Sequence, residues 1–186
     1  MIYFIFLMSI IFHEFGHLCL AKILNVKIKK VKFKIIGFSA EFENGIEDKN
    51  IKKIFVLLIG PIINFVIGMV VLIYIKSHIY RNEIIYTNFI LFIFNILPIN
   101  PLDGGRILFY ILNLRYDLED SFGIVNKISK IFLILISFTY AIIIFLIRNV
   151  EIFFFIIYLW YLNIKEEEKI SWYIKINKNI RKHLNL

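Results

Sequence analysis

The stretch His13-Glu14-Phe15-Gly16-His17 lies inside an apolar run from Met1 to Leu24, and its reading decides the rest of the chain. If the run is a helix, His13 and His17 stand one turn apart and project from one face. Two imidazoles so placed can hold one zinc ion, and Glu14 flanks them where it could take a proton from a water at the metal. Three ionisable side chains within a membrane-length apolar segment are costly, and such groups carry function by default.

Composition sets the solvent. Of the 186 residues 60% are hydrophobic, and mean hydropathy is +0.77, above the share usual for a soluble domain. The length suits one unit. Net charge is +8, but Lys and Arg gather between apolar runs instead of lining one surface, which favours membrane topology signals over nucleic-acid binding. The single Cys19 excludes an intrachain disulfide and a multi-cysteine metal site. A cleaved signal peptide fits poorly, because residues before His13 carry no Lys or Arg and the apolar stretch contains the His-Glu motif.

After Leu24, Val26-Lys27-Ile28-Lys29 alternates, slips at Lys30 and resumes as Val31-Lys32-Phe33-Lys34-Ile35; Phe38 to Glu43 alternates again after Gly37. Period two with a Gly break predicts a short β-hairpin over about 26–43, with the Lys29-Lys30 pair as a bulge. It serves either as a membrane-surface element or as a sheet edge to which an extended substrate adds. A second apolar run, 54–75, contains Gly60-Pro61, Asn64 and Gly68; the spacing of four puts Gly60, Asn64 and Gly68 on one closely packing face. Asn64 then either bonds to another helix or serves the site. Pro61 leaves a carbonyl one turn back in need of another donor.

A third run, 84–112, breaks at 95–106 around Asn95, Pro98, Pro101 and Asp103-Gly104-Gly105. Two prolines three apart cannot lie in a regular helix, and broken backbone at membrane depth needs protein or a wet cavity around it. Asp103 is either the N-cap of the next helix or a third zinc ligand that completes a two-His-plus-carboxylate set. The glycines let backbone come close to the metal or to the first helix. Two more runs, 131–147 and 150–164, precede a charged tail over 165–186 with amphipathic spacing.

The fold expected is an all-α polytopic membrane protein of about five transmembrane helices, with a short membrane-associated β-hairpin after the first. The core is 1–164. Residues 22–53 carry nine Lys and the tail from 165 carries six Lys or Arg, so the positive-inside rule puts the N-terminus outside and the C-terminus in the cytoplasm; a bacterial cytoplasmic membrane is the expected location. His17 then lies roughly 10 Å from the cytoplasmic end of its helix, and Asp103 falls in the same half.

HEFGH, Gly60-Pro61-Ile62-Ile63-Asn64, Asn95-x-x-Pro98 and Leu102-Asp103-Gly104-Gly105 together resemble the site-2 protease family of intramembrane zinc metalloproteases, over residues 1–113. That resemblance implies zinc bound by His13, His17 and Asp103, with Glu14 as general base. Asn64 and Asn95 would line the site or hold the substrate strand. The substrate would be a membrane-embedded or membrane-tethered protein, cleaved within or near its transmembrane segment, with a membrane inhibitor or regulator as a further partner. Small size points to the branch that processes a sporulation sigma factor. That branch usually has a span before the HExxH helix and often a nucleotide-sensing CBS domain, and here His13 follows Met1 by 12 residues. An inactive membrane scaffold of the same fold is the alternative. A transporter fits less well, because the polar groups converge on one depth instead of lining a path.

Overall fold

The computed structural model describes residues 1–34, 37–42, 51–147 and 151–183. The end of the expected hairpin at Glu43 and the Arg148-Asn149 separator lie outside them. The chain forms two units, residues 1–97 and 98–186.

The first unit holds α1 (Ile2–Ile23), β1 (Ile28–Lys34), β2 (Gly37–Phe42), α2 (Lys52–Tyr74) and α3 (Arg81–Ile96), with the three helices packed on one another. In α1 the buried residues are Ser9, His13, Gly16, His17 and Ala21, a stripe at helical spacing. Phe4, Leu7, Ile11, Phe12, Phe15 and Leu18 face outward. In α2, Gly60, Pro61, Asn64 and Gly68 are buried while Phe65, Val66, Val70 and Leu72 are exposed. Small and polar residues inside, large apolar ones outside, is the distribution that hydrocarbon stabilises and water does not. The chain is an integral membrane protein.

Local chemistry fixes the ends of these helices. Asn25 takes a left-handed conformation at φ 55°. The Val26 N–H donates to the Ala21 carbonyl (2.8 Å) and the Asn25 N–H to the Lys22 carbonyl (3.2 Å). This is a Schellman cap, with asparagine where glycine is commonest, and it turns the chain out of α1 toward β1. β1 and β2 pair antiparallel, Lys34 opposite Gly37 and Val31 opposite Ala40, with the register slipping between Ile28 and Lys30. At the other end of α2, Arg81 donates from Nε to the Ile75 carbonyl (2.5 Å) and from Nη2 to the Leu72 carbonyl (2.9 Å). The first residue of α3 thereby satisfies carbonyls that the end of α2 leaves open.

The second unit holds α4 (Asp103–Asn113), α5 (Leu118–Ile147) and α6 (Glu151–His183). Lys130 of α5 pairs with Glu167 of α6 (2.9 Å), and Trp160 Nε1 of α6 donates to Ser137 Oγ of α5 (3.1 Å). Ser137 follows Lys130 by two turns and Trp160 precedes Glu167 by two turns, so the helices run antiparallel in constant register.

Several expected boundaries shift. The third apolar run is two helices, α3 and α4, with the break at 97–102, because Pro98 and Pro101 interrupt the ladder. α5 begins at Leu118 rather than near 131. Its first three turns bury Phe122, Val125, Asn126 and Ser129 at helical spacing, which carries the helix beyond its apolar run. The tail from 165 is no separate segment, since α6 continues to His183 through residues such as Glu166, Glu167, Glu168 and Lys169, which favour helix. Among the described residues three helices are long and apolar enough to cross a membrane alone: Ile2–Ile23, Lys52–Tyr74 and Leu118–Ile142. At 16 residues α3 falls short of the roughly 20 a full span needs, and the charges of α6 dilute its apolar half.

Candidate active site

His13 and His17 are both buried on α1, at 4% and 6% exposure. Their Nε2 atoms lie 3.1 Å apart, with the rings nearly perpendicular at 83°. On its far side His17 Nδ1 is 2.6 Å from the Val56 carbonyl oxygen. A carbonyl can only accept, so Nδ1 carries the proton and Nε2 of the neutral ring keeps its lone pair. Such an outer hydrogen bond orients a ligating imidazole and raises its basicity.

Gly60 of α2 lies against both rings. A Cβ there would stand 2.5 Å from His17 Cε1 and 2.7 Å from His13 Nε2, and would also overlap His17 Nε2. Gly16, between the two histidines, similarly meets the side chains of Ile63 and Ile59. α1 and α2 therefore cross closely at two glycines, one of which leaves the space next to the imidazole nitrogens. Pro61 deprives the Leu57 carbonyl of its helical donor, but it is the adjacent carbonyl, Val56, that accepts from His17.

The fit to zinc can be tested on this geometry. Two nitrogens each about 2.0–2.1 Å from one ion at a tetrahedral angle lie about 3.3 Å apart. The observed 3.1 Å is close to that, with space that a Cβ would fill beside both nitrogens. A neutral pair in which His13 donates one hydrogen bond to His17 also fits the distance, but it gives no reason for an outer carbonyl and a glycine to converge there.

Glu14 is half-buried next to His13. Asn64, one turn beyond Gly60 on the same face of α2, is 0% exposed, and neither its Nδ2 nor its Oδ1 has a hydrogen-bond partner. The interhelical bond that sequence alone offered for it is not formed. Asn95 is half-buried, and its Nδ2 donates to the Leu91 carbonyl (3.0 Å) on its own helix.

Asp103 belongs to the second unit. It is buried and is the first residue of α4, with Leu102 in the N-cap position, so the carboxylate sits one residue inside the cap. Gly105 packs against backbone of its own unit. A Cβ there would come within 2.5–2.6 Å of Asn100 N and of Ile99 C and O, so it lets the first turn of α4 press on the turn before it. In the first unit the glycine next to the imidazoles is Gly60, for which the sequence carries two signals, the fourfold spacing to Asn64 and the Gly60-Pro61-Ile62-Ile63-Asn64 stretch; the Val56 carbonyl has none beyond that spacing.

Residues 81–137, which include Asn95 and Asp103, match peptidase family M50. A solved site-2 protease from Methanocaldococcus jannaschii superposes with a TM-score of 0.65 at 27% identity, covering 88% of this chain and 76% of that one. A zinc metalloprotease of the same organism is 30% identical over 93% of this chain and 51% of its own length. The chain is a relative of the site-2 proteases of family M50. Stage IV sporulation protein FB of Bacillus subtilis is 30% identical over 70% of this chain and 47% of its own length. The chain thus spans about half the length of the curated relatives it matches. A zinc metalloprotease is among the proteins this chain resembles, and among the described residues of the first unit the paired histidines of α1 are the group that offers two converging imidazole nitrogens.

Proposed function

We propose that this protein is a zinc-dependent intramembrane endopeptidase that cleaves a membrane-anchored protein within or near its transmembrane segment. The observation that carries the reading is the 3.1 Å approach of His13 Nε2 and His17 Nε2 beside Gly60, inside a lipid-facing helix. His13, His17 and Asp103 are the ligand set in this reading. When bound, zinc would supply Lewis acidity to the scissile carbonyl and to the attacking water. Glu14 takes a proton from that water and returns it to the leaving amine. The Val56 carbonyl holds the His17 ring in the tautomer that leaves Nε2 open.

A helical substrate hides its carbonyls in internal hydrogen bonds, so it must unwind near the cleaved bond. Asn64 and Asn95 serve the exposed peptide groups: Asn64 has a free donor and acceptor within its buried face, and Asn95 retains its acceptor. The hairpin β1–β2 lies on the membrane surface. Five membrane-crossing segments, as the apolar runs of the sequence divide them, put the N-terminus outside and the C-terminus in the cytoplasm, as the lysine distribution favours. The likeness to a sporulation protein adds no substrate to this reading.

Glu14→Gln tests the mechanism. The detergent-purified variant should keep about one zinc per chain while cleavage of a single-span reporter peptide falls by orders of magnitude. Wild-type cleavage by the variant would remove Glu14 from the role, and a folded wild type that neither binds zinc nor cleaves would leave the inactive scaffold.

A further inference from the structure

The turn before Asp103 is gripped from both sides within its own unit. The Asn100 backbone N–H donates to Ser129 Oγ on α5 (2.9 Å), and the Asn100 carbonyl accepts from Asn163 Nδ2 on α6 (2.9 Å). The Ser129 hydroxyl can donate in turn to the Val125 carbonyl (2.8 Å) or the Pro98 carbonyl (3.2 Å). Ser129 and Asn163 are both 0% exposed. The Leu102 N–H closes the turn on the Ile99 carbonyl (2.7 Å), and Gly105 lets α4 rest against it.

A serine and an asparagine buried in apolar helices have a desolvation cost that alanine or leucine would not have. Here they meet the one non-proline residue between Ile99 and Leu102, whose backbone groups no helix or sheet ladder satisfies. The bonds fix Asn100 relative to α5 and α6, three residues before Asp103. With the turn fixed, so is the start of α4 and the direction in which the first carboxylate leaves it.

We propose that Ser129 and Asn163 are positioning residues for the metal site. They act through Asn100 and deliver the Asp103 carboxylate in ligating geometry without touching the ion themselves. The inference rests on the reading of Asp103 as a zinc ligand. Outer-shell groups of this kind typically change metal affinity by about 10–100-fold when removed. A role in folding alone would lower stability without depending on whether Asp103 is present.

A double-mutant cycle separates the two. Zinc affinity of the full chain in detergent is measured by competition with a chromophoric chelator for wild type, Asn163→Ala, Asp103→Ala and the double variant. Asn163→Ala should weaken zinc by about 10–100-fold, and should cost nothing further once Asp103 is absent. Ser129→Ala should behave likewise, while Ser129→Thr, which keeps the hydroxyl, should bind close to wild type. Should Asn163→Ala not fold, the Ser129 pair, with Ser129→Ala also combined with Asp103→Ala, carries the test. Wild-type affinity in Asn163→Ala or Ser129→Ala, alongside a loss in Asp103→Ala, would overturn the positioning role and leave the ligand standing. An equal loss with and without Asp103 would overturn it as well. Wild-type affinity in Asp103→Ala would overturn the ligand reading, and the positioning role with it.

Discussion

His17 donates its Nδ1 proton to the Val56 carbonyl across 2.6 Å, and this bond joins α1 to the helix that carries Gly60 and Asn64. The carbonyl lies one turn before Gly60, so a single stretch of α2 sets the tautomer of one imidazole and leaves space beside both. Charge-free hydrogen bonding of this kind orients a ligand without adding another ion to the membrane interior.

Gly60 should therefore tolerate no side chain. A Cβ would stand 2.7 Å from His13 Nε2 and overlap His17 Nε2, and the His17 ring is tethered on its other side to Val56. Gly60→Ala is expected to lower zinc affinity at least tenfold, comparable to losing an outer-shell partner. Gly16→Ala meets the end of the flexible Ile63 side chain and should keep most of its zinc. Chelator competition on the two purified variants checks this; equal affinities would mean that the rings can move aside.

Asn64 should trade stability for function. Its amide is fully buried with both polar atoms unpartnered, a state that costs about 1–3 kcal/mol per group. Asn64→Leu keeps similar volume and removes that cost, so thermal unfolding in detergent should shift upward. Cleavage of a single-span reporter should fall at the same time. A variant that is less stable and still active would show that the amide is satisfied by structure and not by substrate.

How much of this was legible follows from which interactions are local. The His13-His17 spacing and the Ser9 to Ala21 stripe are one-helix properties, and the 3.6-residue period displays them directly. The register slip near Lys30 is likewise visible as a fault in alternation. The gripping of Asn100 by Ser129 and Asn163 was not legible, since it joins residues 29 and 63 positions apart in sequence. The start of α5 at Leu118 could have been found, because Phe122, Val125, Asn126 and Ser129 keep helical spacing. Continuous apolar length does not mark that start, because the lead-in is amphipathic.

Arg81 should anchor the α2–α3 connection through its fork. Nε and Nη2 reach two carbonyls at the end of α2, a geometry a lysine ammonium cannot reproduce. Arg81→Lys keeps the charge, yet should lose about 1 kcal/mol, and Arg81→Ala about 1–2 kcal/mol, given the exposure of these bonds. Denaturation of both variants in mixed micelles measures the difference. If lysine proves equal to arginine, charge near the helix end suffices and the fork is incidental.

Two glycines in the second unit give opposite expectations for one substitution. Gly123 lies inside α5 with nothing within 4 Å of an added Cβ, so Gly123→Ala should gain about 0.5–1 kcal/mol from helix propensity alone. At Gly105 the same methyl would meet backbone, Asn100 N and Ile99 C at 2.5 Å, and backbone closed by its own turn and held by Ser129 and Asn163 cannot swing aside as a side chain can. Gly105→Ala should therefore cost about 1–3 kcal/mol, the range for overpacking a filled site, and should weaken zinc because the start of α4 moves with the turn. Unfolding and zinc competition on both variants are the measurements. Stabilisation at both positions would mean that the turn before Asp103 yields, and that α4 can shift without disturbing its carboxylate.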